Sequence, residues 1–438
     1  MAIKKIFNFL ILILSMLIVG CEDNEVAEDY IAEIIDTPVS YNFNSRFVEG
    51  ETGVSYSESV VHNMIVTDLK LLTDYPASES GYPIFLENMI QLYDYQDGYN
   101  FSSWINTSPS VLEKFYNNIS NIESLKDIID DDVIYGFDET ADALLAAWMQ
   151  QIADNCIDLN NIGTHRIITN QDGLNFSQII QKTLLGSINY SMGIKYISNL
   201  EEYDNISKKS ENDIFTELEN NWDKSFGYFG FATDYNTSYI DDLDRINDPY
   251  FDSNNDGFID LKSEYIFDFA LITAMRDDGS SDGSVDFSKS IFDAYLEGRT
   301  LIHNQASIEE VLAQRDIIVQ NWERVIAATI VHYINEVDRN MTNLYSLDSL
   351  AGSLSELSID YNKNWSDMRG FLIILQYNDF NQISDADLIT IVQSMGDSPV
   401  HPLDGNIEYN NYQNTLSNTV KNIFQSTYGF SDANMASW

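Results

Sequence analysis

Apolar residues recur at three- and four-residue spacing along most of this chain, a period that predicts amphipathic helices. Over Val60–Leu72 the stripe is Val61, Met64, Ile65, Leu69 and Leu72. The same period predicts helices over Val111–Ile129, Ala141–Leu159, Phe176–Ile197, Ile214–Phe226, Phe287–Ile302, Ile308–Val337, Met368–Leu375 and Thr415–Phe424. Strand-like stretches are confined to Tyr41-Asn42-Phe43 and Val54-Ser55-Tyr56, on either side of a turn at Glu49-Gly50-Glu51-Thr52-Gly53. That arrangement predicts a hairpin. The pattern as a whole predicts an all-α protein with a small N-terminal β-hairpin.

The first residues break this pattern and give the chain an address. Lys4 and Lys5 precede Ile6–Val19, an apolar run interrupted only by Asn8 and Ser15, which leads into Gly20-Cys21. The run is short for a bilayer span of about 20 residues. A lipoprotein signal peptide over 1–20 fits better, with cleavage before Cys21 and lipid on its thiol. Residues 21–38 then read as an acidic linker. Its Glu22-Asp23-Asn24-Glu25, Glu28 and Asp29 resemble the export signal that sends Bacteroidetes lipoproteins to the outer face of the outer membrane. The expected location is the outer membrane, facing the cell surface. With Cys21 acylated, Cys156 has no intramolecular disulfide partner, and its apolar setting over Leu144–Leu159 predicts a buried small hydrophobe.

Charge narrows the partners. The chain has 438 residues, 69 acidic against 23 basic, for a net charge of −46. A polyanion of that size repels phosphate, which excludes sequence-independent nucleic-acid binding. Hydrophobic residues make up 44%, with 26 Tyr and 23 Phe, so the acidity sits on a folded body and not on a disordered tail.

One frame occurs twice. Asn221-Trp222-Asp223-Lys224-Ser225-Phe226-Gly227-Tyr228 and Asn364-Trp365-Ser366-Asp367-Met368-Arg369-Gly370-Phe371 share Asn-Trp, four residues, Gly and an aromatic. Such a repeat predicts duplicated helical bundles in which each Gly admits a neighbouring helix. The expected division is an N-terminal bundle with the hairpin over 39–230, an insertion over 231–283 and a C-terminal bundle over 284–438.

These frames, together with Tyr41-Asn42-Phe43, Glu297-Gly298-Arg299, His332-Tyr333-Ile334-Asn335-Glu336 and Gly370-Phe371 to Leu375-Gln376-Tyr377-Asn378, resemble the Bacteroidetes lipoproteins grouped as domain of unknown function 4856. The resemblance covers nearly all of the mature chain. It implies a distant likeness to imelysin-like lipoproteins, which are all-helical and duplicated, with a metal-binding His-x-x-Glu and links to iron uptake. Where the family pattern has His-Trp-x-Glu, this chain has Asn221 with Lys224 and Asn364 with Asp367. Both imidazoles are missing and one carboxylate is an ammonium, so the chain departs from the pattern where it would hold a transition metal.

The sharpest local motif is Asp252-Ser253-Asn254-Asn255-Asp256-Gly257-Phe258-Ile259-Asp260. Oxygen donors at positions 1, 3 and 5, Gly at 6, an aliphatic at 8 and Asp at 9 match an EF-hand-like calcium loop. Asp252, Asn254 and Asp256 would bind Ca2+ through side chains, Phe258 through its carbonyl, and Asp260 directly or through water. Position 12 is Ser263, and Glu264 is expected to take over its role. Pro249 precludes an entering helix, and an exiting helix is expected over Leu261–Ala274. His332 and Glu336 share a helix face at i and i+4 and, with Asn221, Asn364 and Asp367, form a second candidate polar site.

The expected function is a non-enzymatic ligand-binding or accessory component of nutrient uptake, iron included, with a structural calcium. It would work with an unidentified small ligand or an outer-membrane transport partner. Two alternatives are an imelysin-type metal-dependent hydrolase and a glycan-binding lipoprotein, the latter requiring Trp and Tyr exposed along one face.

Overall fold

A computed structural model describes residues 33–95, 101–346, 351–402 and 406–438. The signal peptide, Cys21 and the linker up to residue 32 lie outside the described residues. The protein is mostly helical, and among the described residues β-structure is limited to isolated bridges without a sheet. The hairpin reduces to one antiparallel bridge, Asn44 to Thr52, flanked by Ser45 N to Glu51 O and Gly53 N to Phe43 O, each 2.8 Å.

The longer helices are α1 (Ser57–Asp74), α2 (Leu86–Tyr93), α3 (Ala141–Asn155), α4 (Phe176–Leu184), α5 (Ser191–Ser198), α6 (Glu217–Phe229), α7 (Asp268–Asp278), α8 (Phe287–His303), α9 (Ile308–Ser346), α10 (Ala351–Ile374), α11 (Asp385–Met395), α12 (Asn406–Asn414) and α13 (Lys421–Tyr428). Side chains cap the starts of α3, α4, α6, α8 and α11. Thr216 and Glu219 form a reciprocal box at α6, and Asn175 caps α4. A π-helical turn, Leu185–Tyr190, joins α4 to α5 with all six residues buried.

Helices α1, α4, α10, α9, α8 and α6 pack in succession and close back on α1, around one continuous apolar core. The π-turn touches α1, α6 and α10. Two similar crossings recur in this ring. Gly227 of α6 meets Tyr56 and Ser59 at the start of α1, where an added Cβ would lie 2.8 Å from the Ser59 side chain. Gly370 of α10 meets Lys182 and Ile179 of α4, with the corresponding distance 2.6 Å. Only a residue without a Cβ permits either approach. Two residues after each Trp an ion pair spans the same crossing, Lys224 to Glu58 at 2.5 Å and Asp367 to Lys182 at 2.6 Å, with the signs reversed. The repeated frames are thus used alike. Trp222 and Trp365 are both fully buried but differ in partner: the first donates to the Tyr295 carbonyl, the second to the Tyr412 hydroxyl.

Two sequence expectations are corrected. Val111–Ile129 forms only the short turns Tyr116–Ile119 and Leu125–Ile128. Val111 instead pairs with Ile259, Ser102 pairs with Phe115, and Ser120 is extended, so inter-segment bonds take the backbone groups a helix would need. The exiting helix of the calcium-type loop starts at Asp268 and not at Leu261. Tyr250 bridges to Tyr265, and Ile266 N donates to Pro249 O at 2.7 Å, which holds that stretch extended.

Candidate functional site

The loop Asp252–Glu264 has the internal wiring its spacing predicts. Asp252 accepts from Asp256 N at 3.1 Å through one carboxylate oxygen and from Gly257 N at 3.0 Å through the other. Asn254 Oδ1 accepts from Asp256 N at 2.7 Å, and Asp256 Oδ1 accepts from Phe258 N at 2.8 Å. Asn255 and Gly257 take the positive φ values, +59° and +85°, that reverse the chain. Asp260 accepts from Lys262 N and Ser263 Oγ, at 2.9 and 3.0 Å.

Glu264 takes the place expected of it. It is buried at 2% exposure and its carboxylate turns back into the loop, accepting from Ser253 N, Ser253 Oγ, Asn254 N and Asp260 N. The Phe258 carbonyl accepts no hydrogen bond among the described residues, while the Phe258 ring is exposed. The carboxylates are held by N–H and O–H donors and are not drawn onto one point. Among the described residues no three His, Cys, Asp or Glu side chains form a ready metal cluster.

The loop is stitched to distant parts of the chain. Ile259 is fully buried, its N–H donating to Ser110 O and its carbonyl accepting from Leu112 N. Tyr56 Oη donates to Lys262 O, and Thr233 N donates to Ser263 O. Three sequence-distant segments, around Tyr56, Ser110 and Thr233, therefore meet on this one turn.

The second candidate set does not assemble as a cluster. Glu336 pairs with Arg339, Asn364 donates to Asn340 Oδ1 at 2.9 Å, Asp367 is taken by Lys182, and Asn221 is buried on α6. No hydrogen bond or ion pair among the described residues links these groups to one another or to His332. Burial, with help from Arg276 and Arg339, lowers the His332 pKa to about 3, so its ring is neutral. The donor set at the two Trp frames does not fit a transition metal. One position offers the Lys224 ammonium, and the one carboxylate, Asp367, is neutralised by Lys182.

Long-range residues form a group that spacing did not reveal. Arg299 donates to Asp223 and Glu219, both at 3.0 Å, Arg46 donates to Glu219 at 2.9 Å, and Tyr41 Oη donates to Asp223 at 2.7 Å. The guanidinium of Arg299 also lies over the Phe43 ring. Burial pushes the Asp223 pKa up to about 6, against the pull of Arg299. Burial likewise opposes charge on Glu219, yet the two arginines outweigh it and hold that carboxyl below its ordinary range. Only the scattered Tyr41-Asn42-Phe43, Trp222 frame and Glu297-Gly298-Arg299 segments hinted at this cluster, as points of family resemblance.

At the surface, Tyr75, Tyr82 and Trp104 line a cavity of about 540 Å³ with Asn106 and Lys114 on its polar side. Trp104 is 47% exposed and Tyr82 57%.

These features define a helical protein in which three of the resembling segments, Tyr41–Phe43, the Trp222 frame and Glu297–Arg299, meet at a buried ion-pair core. The family model for the domain of unknown function DUF4856 matches residues 38–378, and the chain belongs to that family. No curated protein and no solved structure matches it. Among the described residues, no helix is long and apolar enough to cross a membrane.

Proposed function

We propose that this protein is a lipid-anchored, non-enzymatic binding component of nutrient uptake at the outer membrane, with a body braced by calcium in the 252–264 loop. The observation that carries the reading is Glu264, buried and turned into a loop whose backbone ties three sequence-distant segments together. A cation there would bind a charge-rich turn and fix the surrounding architecture at the same time. Lipid on Cys21 would hold the body at the membrane, since the three acyl chains of a bacterial lipoprotein exceed the two-signal threshold for stable anchoring. Iron among the nutrients enters through the family resemblance alone. Extracellular calcium sites have Kd of about 10⁻⁴–10⁻³ M. A metal inventory of protein purified from its native host and equilibrated with calcium at roughly ten times that range, about 1–10 mM, is expected to give about one bound calcium per chain and no stoichiometric transition metal. Cys21→Ala is expected to leave the precursor uncleaved by the lipoprotein peptidase and to end its lipid-dependent membrane retention. Unchanged processing and fractionation in that variant would remove the lipoprotein reading.

A second reading, glycan binding, draws support from the exposed Tyr75–Tyr82–Trp104 groove, since aromatic faces beside amide and ammonium donors suit sugar rings. Trp104→Ala should abolish retention on an immobilised polysaccharide panel if this groove is used. Unchanged retention, or no retention of the parent protein, would exclude it.

A further inference from the structure

A second cavity, of about 480 Å³, lies between Ile128–Asp132, α5 and Gln376–Asp379, within the size range of small-molecule sites. Four carboxylates line it, Asp130, Asp131, Asp132 and Asp379, against the single ammonium of Lys195. Asp130 is fixed by the Ser191 hydroxyl at 2.7 Å and by its own N–H to Ser187 O at 2.9 Å. Asp131 accepts from Asp142 N at 2.9 Å. Asp132 and Asp379 are exposed and accept no hydrogen bond among the described residues. Partial burial and the neighbouring Asp130, Asp131 and Asp379 raise the Asp132 pKa, so these charges lie close enough to repel one another.

Tyr377 supplies an independent observation. It lines the cavity, is 5% exposed, and its hydroxyl has no hydrogen-bond partner. A buried hydroxyl left unpaired is destabilising, and a ligand group that accepts from or donates to it would remove that cost. That hydroxyl sits in the field of Asp130, Asp132 and Asp131. The π-turn next to it is the kind of helix defect that recurs at functional sites.

We propose that this cavity binds a small organic cation carrying two or more ammonium or guanidinium groups, held by Asp130, Asp131, Asp132 and Asp379 with Tyr377 as a neutral hydrogen-bond partner. A single metal ion suits the cavity less, because these carboxylates do not converge as a metal cluster. Charges spread along a flexible chain match carboxylates spread around a rim. The inference deepens the ligand-binding reading and rests on it only for the ligand's biological use.

The test is calorimetric titration of the full mature protein with spermidine at about 150 mM salt, where long-range attraction to a polyanion is screened beyond roughly 8 Å. One site is expected. Asp132→Asn with Asp379→Asn should weaken it at least about tenfold, and Tyr377→Phe by about threefold without loss of melting temperature. Glu49→Gln with Glu51→Gln, exposed and remote in sequence from every residue that lines the cavity, should leave affinity unchanged. No saturable site, an equal loss in the Glu49/Glu51 control, or complete displacement by equimolar calcium would overturn the proposal. None of these outcomes affects the lipid anchor or the 252–264 loop, so failure here is separable from failure of the wider reading.

Discussion

Arg299 illustrates why single residues matter so much in this protein. Its guanidinium is wholly buried and bonded to two buried carboxylates, Asp223 and Glu219. Removing one partner of such a group leaves charge uncompensated in a poor solvent for it. Arg299→Met is therefore expected to cost about 3–5 kcal/mol of stability, measured by denaturant unfolding. A loss under 1 kcal/mol would mean that water reaches this cluster. His62 gives a pH-dependent counterpart. It is fully buried between the Tyr228 hydroxyl and the Glu123 carbonyl, and burial lowers its pKa to about 4. The unfolded chain takes up this proton first, near pH 6.5. The contribution of His62 is thus complete above that pH and drains away as pH falls toward 4, on the order of 3 kcal/mol in all. Asp68, Asp223 and Asp277, each pushed up to about 6 by burial, act in the opposite sense. The measurement is consequently a difference: the stability of the parent minus that of His62→Gln should fall by on the order of 3 kcal/mol as pH drops from 6.5 to 4. Parallel pH profiles would contradict the neutral, buried ring.

Among the elements, the crossings at Gly227 and Gly370 set how closely α6 meets α1 and α10 meets α4. Gly370→Ala would press its Cβ into the Lys182 stem and disturb the Lys182–Asp367 pair. Overpacking of this kind costs about 1–3 kcal/mol, and thermal unfolding of the variant checks it. Both crossings were legible in the repeated Trp–Gly frame because helix packing writes itself into local spacing. So were α4 with α5, and α8, whose apolar stripes run unbroken through Phe176–Ile197 and Phe287–Ile302. Val111–Ile129 carried the same period but not the same fate. Its apolar positions serve separate contacts, Val111 against the calcium-type loop and Leu125 in the core. The turn at 252–264 was readable from its spacing, since the hydrogen bonds that shape it are contained in thirteen positions. The extended stretch after it was not, because its partner, Pro249–Tyr250, lies across the turn. The Arg299 cluster was hidden for the same reason: Tyr41, Glu219, Asp223 and Arg299 are joined only by the fold.

At the scale of the whole molecule, one loop connects segments around Tyr56, Ser110, Thr233 and Pro249. Asp252, Asp256, Asp260 and Glu264 bring four carboxylates into that turn, a concentration of charge that repels itself without a cation. The short helix Asp242–Asn247 ends before Pro249, and the Tyr250–Tyr265 bridge separates it from the loop, so calcium should stiffen the body and not swing a helix. Extracellular sites of this kind have Kd of about 10⁻⁴–10⁻³ M. At roughly ten times Kd, linkage adds about 1.4 kcal/mol. Magnesium should do less, because it demands a tighter octahedral shell and sheds water reluctantly. The most direct measurement is the melting temperature of the mature protein across a calcium titration. The account predicts a saturable rise of about 1–3 °C in the millimolar range, abolished by Asp252→Ala with Asp256→Ala. A melting temperature that stays flat in the parent protein, or that rises equally in the double variant, would contradict it.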